Sequence, residues 1–362
     1  MQNEPRIWLL IGDKPGDNAQ VKKVADTLAL PCDTRQVFPK PQYVLGKPKY
    51  RVSLSHLDME RSATLAAPWP DLIITIGRRP SMAALWVKQQ NPATKIVLLG
   101  RPRRWIEKFD LVITLPQYQV PQLPNVLRLS LPIMRSDPQA VAAASASWKS
   151  RLDSLPKPLT AVLVGGATRP FRFDAEVTRK LVEQCRALQA QDGGTLYFST
   201  SRRTAPEITA TLKAQLPQGA QLYTWQQDDG DNPYLALLGL ADRCIVTGDS
   251  ISMLVEVADQ RKPLAIFALP QGLQGRLWQG IMRRLHAAPA PGLANRLLRA
   301  LGRVLYSTGI AGFTRDLTQV HSTLIENGLA VYLGTPFTQP ASTLPDELAQ
   351  IRQRIMALLP LS

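Results

Sequence analysis

The 362 residues hold only three cysteines and three histidines. Cys32, Cys185 and Cys244 lie far apart without CxxC spacing, which excludes a disulfide framework and a cysteine-based zinc site. Two of them sit inside apolar segments where a thiol packs as a small hydrophobe, and a reducing cytoplasm fits that usage. His56, His286 and His321 are scattered, with neither HExxH nor Cys/His ligand spacing, and no GxSxG elbow occurs. The histidines are therefore expected at surface or structural positions. No metal or cofactor is implied.

Long apolar runs are missing too. No stretch reaches the roughly 18 residues needed to cross a bilayer, so any membrane contact is expected to be peripheral, at the inner face. The opening MQNEPRIWLLIGD enters a strand-like run without the apolar stretch and small-residue cleavage site of a signal peptide. Acids are scarce: 28 Asp and Glu stand against 43 Lys and Arg, for a net charge of +15. Such a surface attracts polyanions in general, whether anionic lipid, phosphorylated substrate or nucleic acid. Without a recognised nucleic-acid motif, the last is the least supported partner.

What the chain does have is length for two domains and 45% hydrophobic residues, ordinary for a soluble α/β protein. Short β-rich runs at 7–11, 71–76, 95–99, 111–114 and 126–129 alternate with helical patterns at 18–28 and 80–90, the spacing of βαβ units with a buried parallel sheet. A second series has strands at 160–164, 195–198, 221–224, 244–246 and 264–267, with helices at 174–189, 205–216, 233–238 and 252–259. The expected division is a first domain over 1–135, a linker over 136–157 and a second domain over 158–339. A final amphipathic helix over 344–358 carries Leu344, Leu348, Ile351 and Ile355 on one face.

Three loops at strand ends carry candidate chemistry. In DRCIVTGDSISMLVEVADQ, Asp249 or Ser250 suits the N-cap of a helix whose free N–H groups and dipole favour phosphate. Ser250 and Ser252 add hydroxyls there, and Glu256, one turn on, is placed to accept ribose hydroxyls; a capped helix with a solvated Glu is the plainer alternative. The stretch from Ser199 through Arg202, Arg203 and Thr204 joins hydroxyls to two guanidiniums at a helix start, either a diphosphate clamp or a polar loop. In GDKPGDNAQ, Gly12 and Gly16 allow close backbone approach, and Asp13 or Asp17 is a candidate general base or else a turn residue. That loop is neither GxGxxG nor a Walker A loop. Gly165 and Gly166, with Arg169, form a weaker fourth site.

Residues 271–318 differ in kind, with seven arginines against the single acid Asp316. At about 100° per residue, Leu277, Trp278, Ile281, Met282 and Leu285 share one arc, and Leu293, Leu297, Leu298, Leu301, Val304 and Leu305 share another. Basic amphipathic helices of this kind suit an anionic membrane surface; helices packed on the second domain are the alternative.

WLLIGDKPGDNAQ, DLIITIGRRPSMAALWVKQQ, FDLVITLPQYQVPQLPNVLRL, VLVGGATRPF, FSTSRRTAP, NPYLALLGLADRCIVTGDSISMLVEVADQRKPLAIF and GLAVYLG together resemble, in order and through nearly the whole chain, the glycosyltransferase-like family of the plant elongated-mitochondria fission factor and its bacterial members. The resemblance implies the glycosyltransferase B fold: two Rossmann-like α/β domains facing a cleft, the acceptor domain first, the nucleotide-sugar domain second, and a last helix crossing back. It matches Glu256 to the ribose carboxylate, and Ser250, Ser252 and Met253 to the turn beside the diphosphate. Some relatives carry a His-Asp pair where this chain has Gln117-Tyr118-Gln119. The implied activity is transfer from a nucleoside-diphosphate sugar to a lipid-linked or cell-envelope glycan acceptor. Bacterial members are also labelled sugar-nucleotide epimerases, and the plant relative recruits a dynamin-type GTPase in organelle division, so an epimerase and a membrane-surface adaptor are the alternatives.

Overall fold

The computed structural model describes residues 4–43, 51–102, 104–168, 170–227, 230–285, 292–308 and 315–359; Arg169 and His286 fall outside these, as does the side chain of Trp278. The chain forms two compact units, unit 1 from Met1–Leu129, Gly280–Thr314 and Asp346–Ser362, and unit 2 from Ser130–Gln279 and Arg315–Pro345.

Unit 1 begins with β1 (Ile7–Ile11), α1 (Pro15–Asp26), β2 (Cys32–Gln36), β3 (Leu72–Ile76), α2 (Arg78–Gln90), β4 (Lys95–Leu99), β5 (Leu111–Thr114) and β6 (Val126–Arg128). Its six strands are all parallel in the order β2-β1-β3-β4-β5-β6. The runs IWLLI, LIITI and LVIT are buried throughout, as strands covered on both faces must be. The reading of the sequence passes over β2 because CDTRQ is an edge strand with polar, partly exposed side chains and no apolar signature.

Unit 2 begins with α3 (Pro138–Asp153), so most of the stretch expected to link two domains is a packed helix. Val141, Trp148 and Leu152, spaced for one helical face, are buried. Then come β7 (Leu159–Val164), α4 (Ala175–Asp192), β8 (Thr195–Thr200), α5 (Pro206–Gln215), β9 (Gln221–Tyr223), α6 (Tyr234–Leu240), β10 (Arg243–Thr247), α7 (Ile251–Asp259) and β11 (Leu264–Phe267). After α8 (Leu273–Leu285) and α9 (Leu293–Ser307), α10 (Thr318–Glu326) and β12 (Val331–Tyr332) complete unit 2. Its sheet, again all parallel, runs β12-β11-β10-β7-β8-β9. Cys185 and Cys244 are buried in its core, and burial pushes the Cys244 thiol up to about 12.

The segment read from sequence as an insertion of the second domain divides differently. Residues Gly280–Thr314 belong to unit 1, where Tyr306 is buried and its hydroxyl donates to the Pro102 carbonyl. Helix α9 rests there on few residues: Gly302 lies so close that a Cβ would stand 2.6 Å from the Leu285 carbonyl oxygen. The final helix, α11 (Leu348–Met356), crosses back to unit 1 and packs on α1 and β5. Ile351 and Ile355 are fully buried, contributing about 1.5–3 kcal/mol each, and Arg354 donates to the Pro124 carbonyl (2.6 Å). Leu344, expected on that helical face, precedes the helix and packs against the core of unit 2.

Candidate nucleotide site

In unit 2 the chain leaves β7 toward β8 and β9 on one side, then returns to β10 on the other, so the strand order reverses between β7 and β10. Open parallel sheets bind ligands at the carboxyl ends of strands at such a switch point. The loops after these strands are Gly165-Gly166 and Gly248-Asp249-Ser250.

They are tied together from within. Asp249, 3% exposed, accepts from the Gly166 N–H (2.9 Å) and from Thr247 Oγ1 (2.8 Å), while the Gly165 N–H donates to Thr247 Oγ1 (2.8 Å). Burial raises the Asp249 carboxyl above its usual range, against the opposing pull of these donors and of Arg203. A Cβ on Gly165 would stand 2.4 Å from Asp249 Oδ2, and one on Gly166 2.0 Å from the Arg203 carbonyl oxygen. The geometry thus gives Asp249 and both glycine N–H groups a bracing task, since the Asp249 carboxylate and these N–H groups are paired with one another or with Thr247. Asp249 does not cap α7, and Ser250, at the N-cap position, makes no capping bond.

Arg203 crosses this brace. It donates to Thr168 Oγ1 (2.7 Å) and Ser250 Oγ (2.9 Å) and lies 3.5 Å from Asp249 Oδ2, with its side chain 46% exposed. One guanidinium is therefore fixed by the loops after β7 and β10 while keeping a solvent-facing side. Arg202 is exposed and has none of these contacts, so the two arginines are not equivalent. The neighbouring hydroxyls serve the backbone: Thr204 Oγ1 donates to the carbonyls of Gly165 (2.6 Å) and Val164 (3.0 Å), and Thr200 accepts from the Trp225 N–H (2.8 Å). Strand β8 continues through Ser199 and Thr200, both buried, which removes them from the loop.

Helix α7 turns Ser252 to the surface, half-buries Met253 against the core, and half-buries Glu256. Tyr234, at the start of α6, donates its hydroxyl to Glu256 Oε2, and Oε1 has no hydrogen-bond partner among the described residues. Burial raises the Glu256 carboxyl, with Asp259 adding to the rise and the Tyr234 bond opposing it. Behind the loop, buried His321 donates from Nε2 to the Gly248 carbonyl (2.7 Å) and stacks on Phe171. Burial lowers its pKa.

Unit 1 has its own reversal between β1 and β3. The Gly12 N–H donates to Asn18 Oδ1 (3.2 Å), and the Gly12 carbonyl accepts from Asn18 and Gln36 (3.0 and 3.2 Å), so this backbone is already satisfied. Gly16 has nothing within 4 Å of a built Cβ. Asp13 pairs with Arg79, whose Nη1 is 3.1 Å from both carboxylate oxygens. Asp17 Oδ2 lies 3.8 Å from the place of a Cβ on Gly77, a residue whose φ of +82° suits glycine. His56 is buried, and its Nε2 donates to the Arg79 carbonyl (3.0 Å).

The family profile described as "Mitochondrial fission ELM1" matches residues 15–291. The chain belongs to the mitochondrial fission ELM1 family. It is 25% identical over 299 residues to the uncharacterized protein RP120 of Rickettsia prowazekii (strain Madrid E), covering 73% of this chain and 83% of that protein. It is 24% identical over 221 residues to the mitochondrial fission protein ELM1 of Arabidopsis thaliana, covering 54% of this chain and only 51% of the plant protein. Similar solved structures include a UDP-GlcNAc 2-epimerase from Methanocaldococcus jannaschii (9% identity, 98% of this chain and 99% of that one, TM-score 0.45) and the calicheamicin glycosyltransferase CalG4 (11%, 99% and 90%, TM-score 0.41). The two six-stranded parallel sheets with their helices make this ELM1-family chain a pair of Rossmann-like α/β units.

In this ELM1-family chain, Gln117 and Gln119 are buried and Tyr118 lies under the Arg101 guanidinium (5.3 Å), so the loop packs instead of presenting a titratable pair. Sequence reasoning missed Thr168 and Tyr234 as site residues, while His321 takes a buried structural position, as expected of the histidines. Each acts through a contact distant in sequence, and only the glycine pair beside Thr168 marked its neighbourhood.

Proposed function

We propose that this protein is a nucleotide-sugar-dependent glycosyltransferase. The observation that carries the reading is the Arg203 guanidinium, held at the β7/β10 switch point beside the first turn of α7, which no side chain caps. Free N–H groups and a dipole at a helix start favour a diphosphate, and a fixed guanidinium adds charge-assisted donors. Glu256, oriented by Tyr234 with Oε1 open, supports a ribose contact; Ser252 and Met253 line the same helix. Stabilising the departing diphosphate in this way requires no metal. The acceptor in this reading is a lipid-linked or cell-envelope glycan. Asp13 and Asp17 are the candidate bases for its hydroxyl, Asp17 the less engaged because Asp13 is held by Arg79.

A thermal-shift series with nucleotides and nucleotide-sugars tests the donor half, since a ligand of the folded state raises Tm. A nucleoside-diphosphate sugar should stabilise the protein. Glu256→Ala should weaken its binding by about 1.5–3 kcal/mol, and Arg203→Ala should weaken the diphosphate far more than the free nucleoside. A folded protein whose Tm ignores every nucleotide-sugar removes the reading, and leaves the second one: a non-catalytic adaptor, favoured by the likeness to the plant fission protein.

A further inference from the structure

We infer that the exposed leucine face of α9 docks on an anionic lipid bilayer. On a helical wheel of about 100° per residue, Leu293, Val304, Leu297, Leu301 and Leu298 span an arc of about 140°. None of them is what holds the helix to unit 1. That contact is made by Gly302 and Tyr306, buried on the adjoining side, and by Leu305 within the arc, which packs against Met282 and Leu285, while Leu293 and Leu297 remain 73% and 62% exposed. Isolated exposed aliphatics are ordinary, but five on one helix face form a patch, and such patches mark interaction surfaces.

Charge identifies the occupant. Arg296, Arg299 and Arg303 lie on the remaining side of the wheel, and neither α8 nor α9 contains an acidic residue. Arg299 Nη1 is buried with no hydrogen-bond acceptor among the described residues. A second copy docked through the leucines would bring no acidic residue of α8 or α9 to these arginines. A bilayer with acidic headgroups instead supplies hydrocarbon for the leucines and phosphates for the guanidiniums at a single boundary, the arrangement in which basic amphipathic helices lie at an interface. This docking does not depend on the nucleotide reading.

The test is co-sedimentation of the full chain with vesicles of phosphatidylcholine alone or mixed equally with phosphatidylglycerol. Binding should require phosphatidylglycerol and weaken with salt. Arg296→Glu, Arg299→Glu and Arg303→Glu combined should lower affinity by at least about 100-fold, taking ~1 kcal/mol per basic residue near an anionic surface and tenfold per ~1.4 kcal/mol. Leu297→Asp with Leu301→Asp should abolish binding while every arginine remains. Arg296, Leu297, Leu301 and Arg303 are exposed and Arg299 is half-buried; circular dichroism checks that the variants fold, and the triple Arg→Ala variant replaces any that does not. Three results overturn the inference: no binding to phosphatidylglycerol vesicles at low salt, equal binding to neutral vesicles, or a soluble dimer that Leu301→Asp dissociates.

Discussion

In unit 2 the loops after β7 and β8 approach until a methyl group on Gly166 would overlap the Arg203 carbonyl, and the buried Asp249 carboxylate from the loop after β10 ties Gly166 in place. In unit 1 the loops after β1 and β3 occupy the equivalent switch point with a partly exposed ion pair, Asp13 to Arg79, and open space around Gly16. Parallel sheets of related topology thus carry two kinds of crevice. One is preorganised, with its polar groups used internally so that Arg203 is fixed; the other is more loosely furnished, with a satisfied Gly12 backbone but room at Gly16. Preorganisation suits the binding of a diphosphate, whose charge must be met by groups already in place.

The sharpest way to break that contrast is to add one methyl group to each crevice. Gly166→Ala places a Cβ 2.0 Å from backbone, which cannot move aside as a flexible side chain would. The variant should lose about 1–3 kcal/mol or more by denaturant unfolding. Gly16→Ala, in the first turn of α1 with nothing within 4 Å, should be neutral or gain up to about 1 kcal/mol. Equal effects in the two units would end the distinction between them.

Buried apolar strands were the most legible part of the chain in sequence. β1, β4, β5 and β11 start and end where the sequence reading places them, because strands covered on both faces are mostly apolar. β2 was not legible, since an edge strand such as CDTRQ has no period to read. Helix α3 resembled a spacer because Ala and Ser dominate it, although Val141, Trp148 and Leu152 form a packing stripe. At the candidate site, residue types drew attention to the loops after β1, β7, β8 and β10, but the bonds their side chains make in the fold were not legible. Asp249 reads as an N-cap from its position, yet it faces the Gly166 N–H, and that choice depends on a strand more than 80 residues away. The partnership of Tyr234 with Glu256 is hidden for the same reason.

A smaller effect should distinguish the units by pH. His321 is neutral and buried behind the Gly248 loop, its pKa lowered first by burial and partly restored by the carbonyl it binds. Its folded value lies below the ordinary 6.5, so its contribution to stability is present above that value and lost as pH falls through the folded one. Glu256 and Asp249, raised by burial, work in the opposite direction: their contributions are present below the ordinary carboxyl range and lost as pH rises through the folded values. His321→Gln keeps a donor near Gly248 but cannot titrate, so unfolding measured from roughly pH 8 down to pH 5 should show a shallower acid-side loss than the parent. His56→Gln should flatten the profile only through unit 1, where burial lowers His56 as well. If both variants retain the parent's slope, histidine burial does not set the acid limit.

The smallest effect is expected at the ion pair of unit 1. Asp13 and Arg79 are 34% and 18% exposed, so water screens the pair and ordering the side chains offsets much of the attraction. Asp13→Ala should therefore change unfolding stability by less than about 1 kcal/mol. Removing the Asp249 carboxylate leaves buried donors unmet, and Asp249→Ala should cost about 1–3 kcal/mol. A small stability change combined with a large loss of sugar transfer would mark Asp13 as a group whose work is chemical. Within the proposed transfer reaction, the same measurement on Asp17→Ala compares the two candidate carboxylates, because a base should lose turnover while donor binding, judged by nucleotide-sugar thermal shift, stays unchanged. If Asp13→Ala proves as destabilising as Asp249→Ala, the unit 1 crevice is braced as tightly as that of unit 2, and the loose furnishing ascribed to it is wrong.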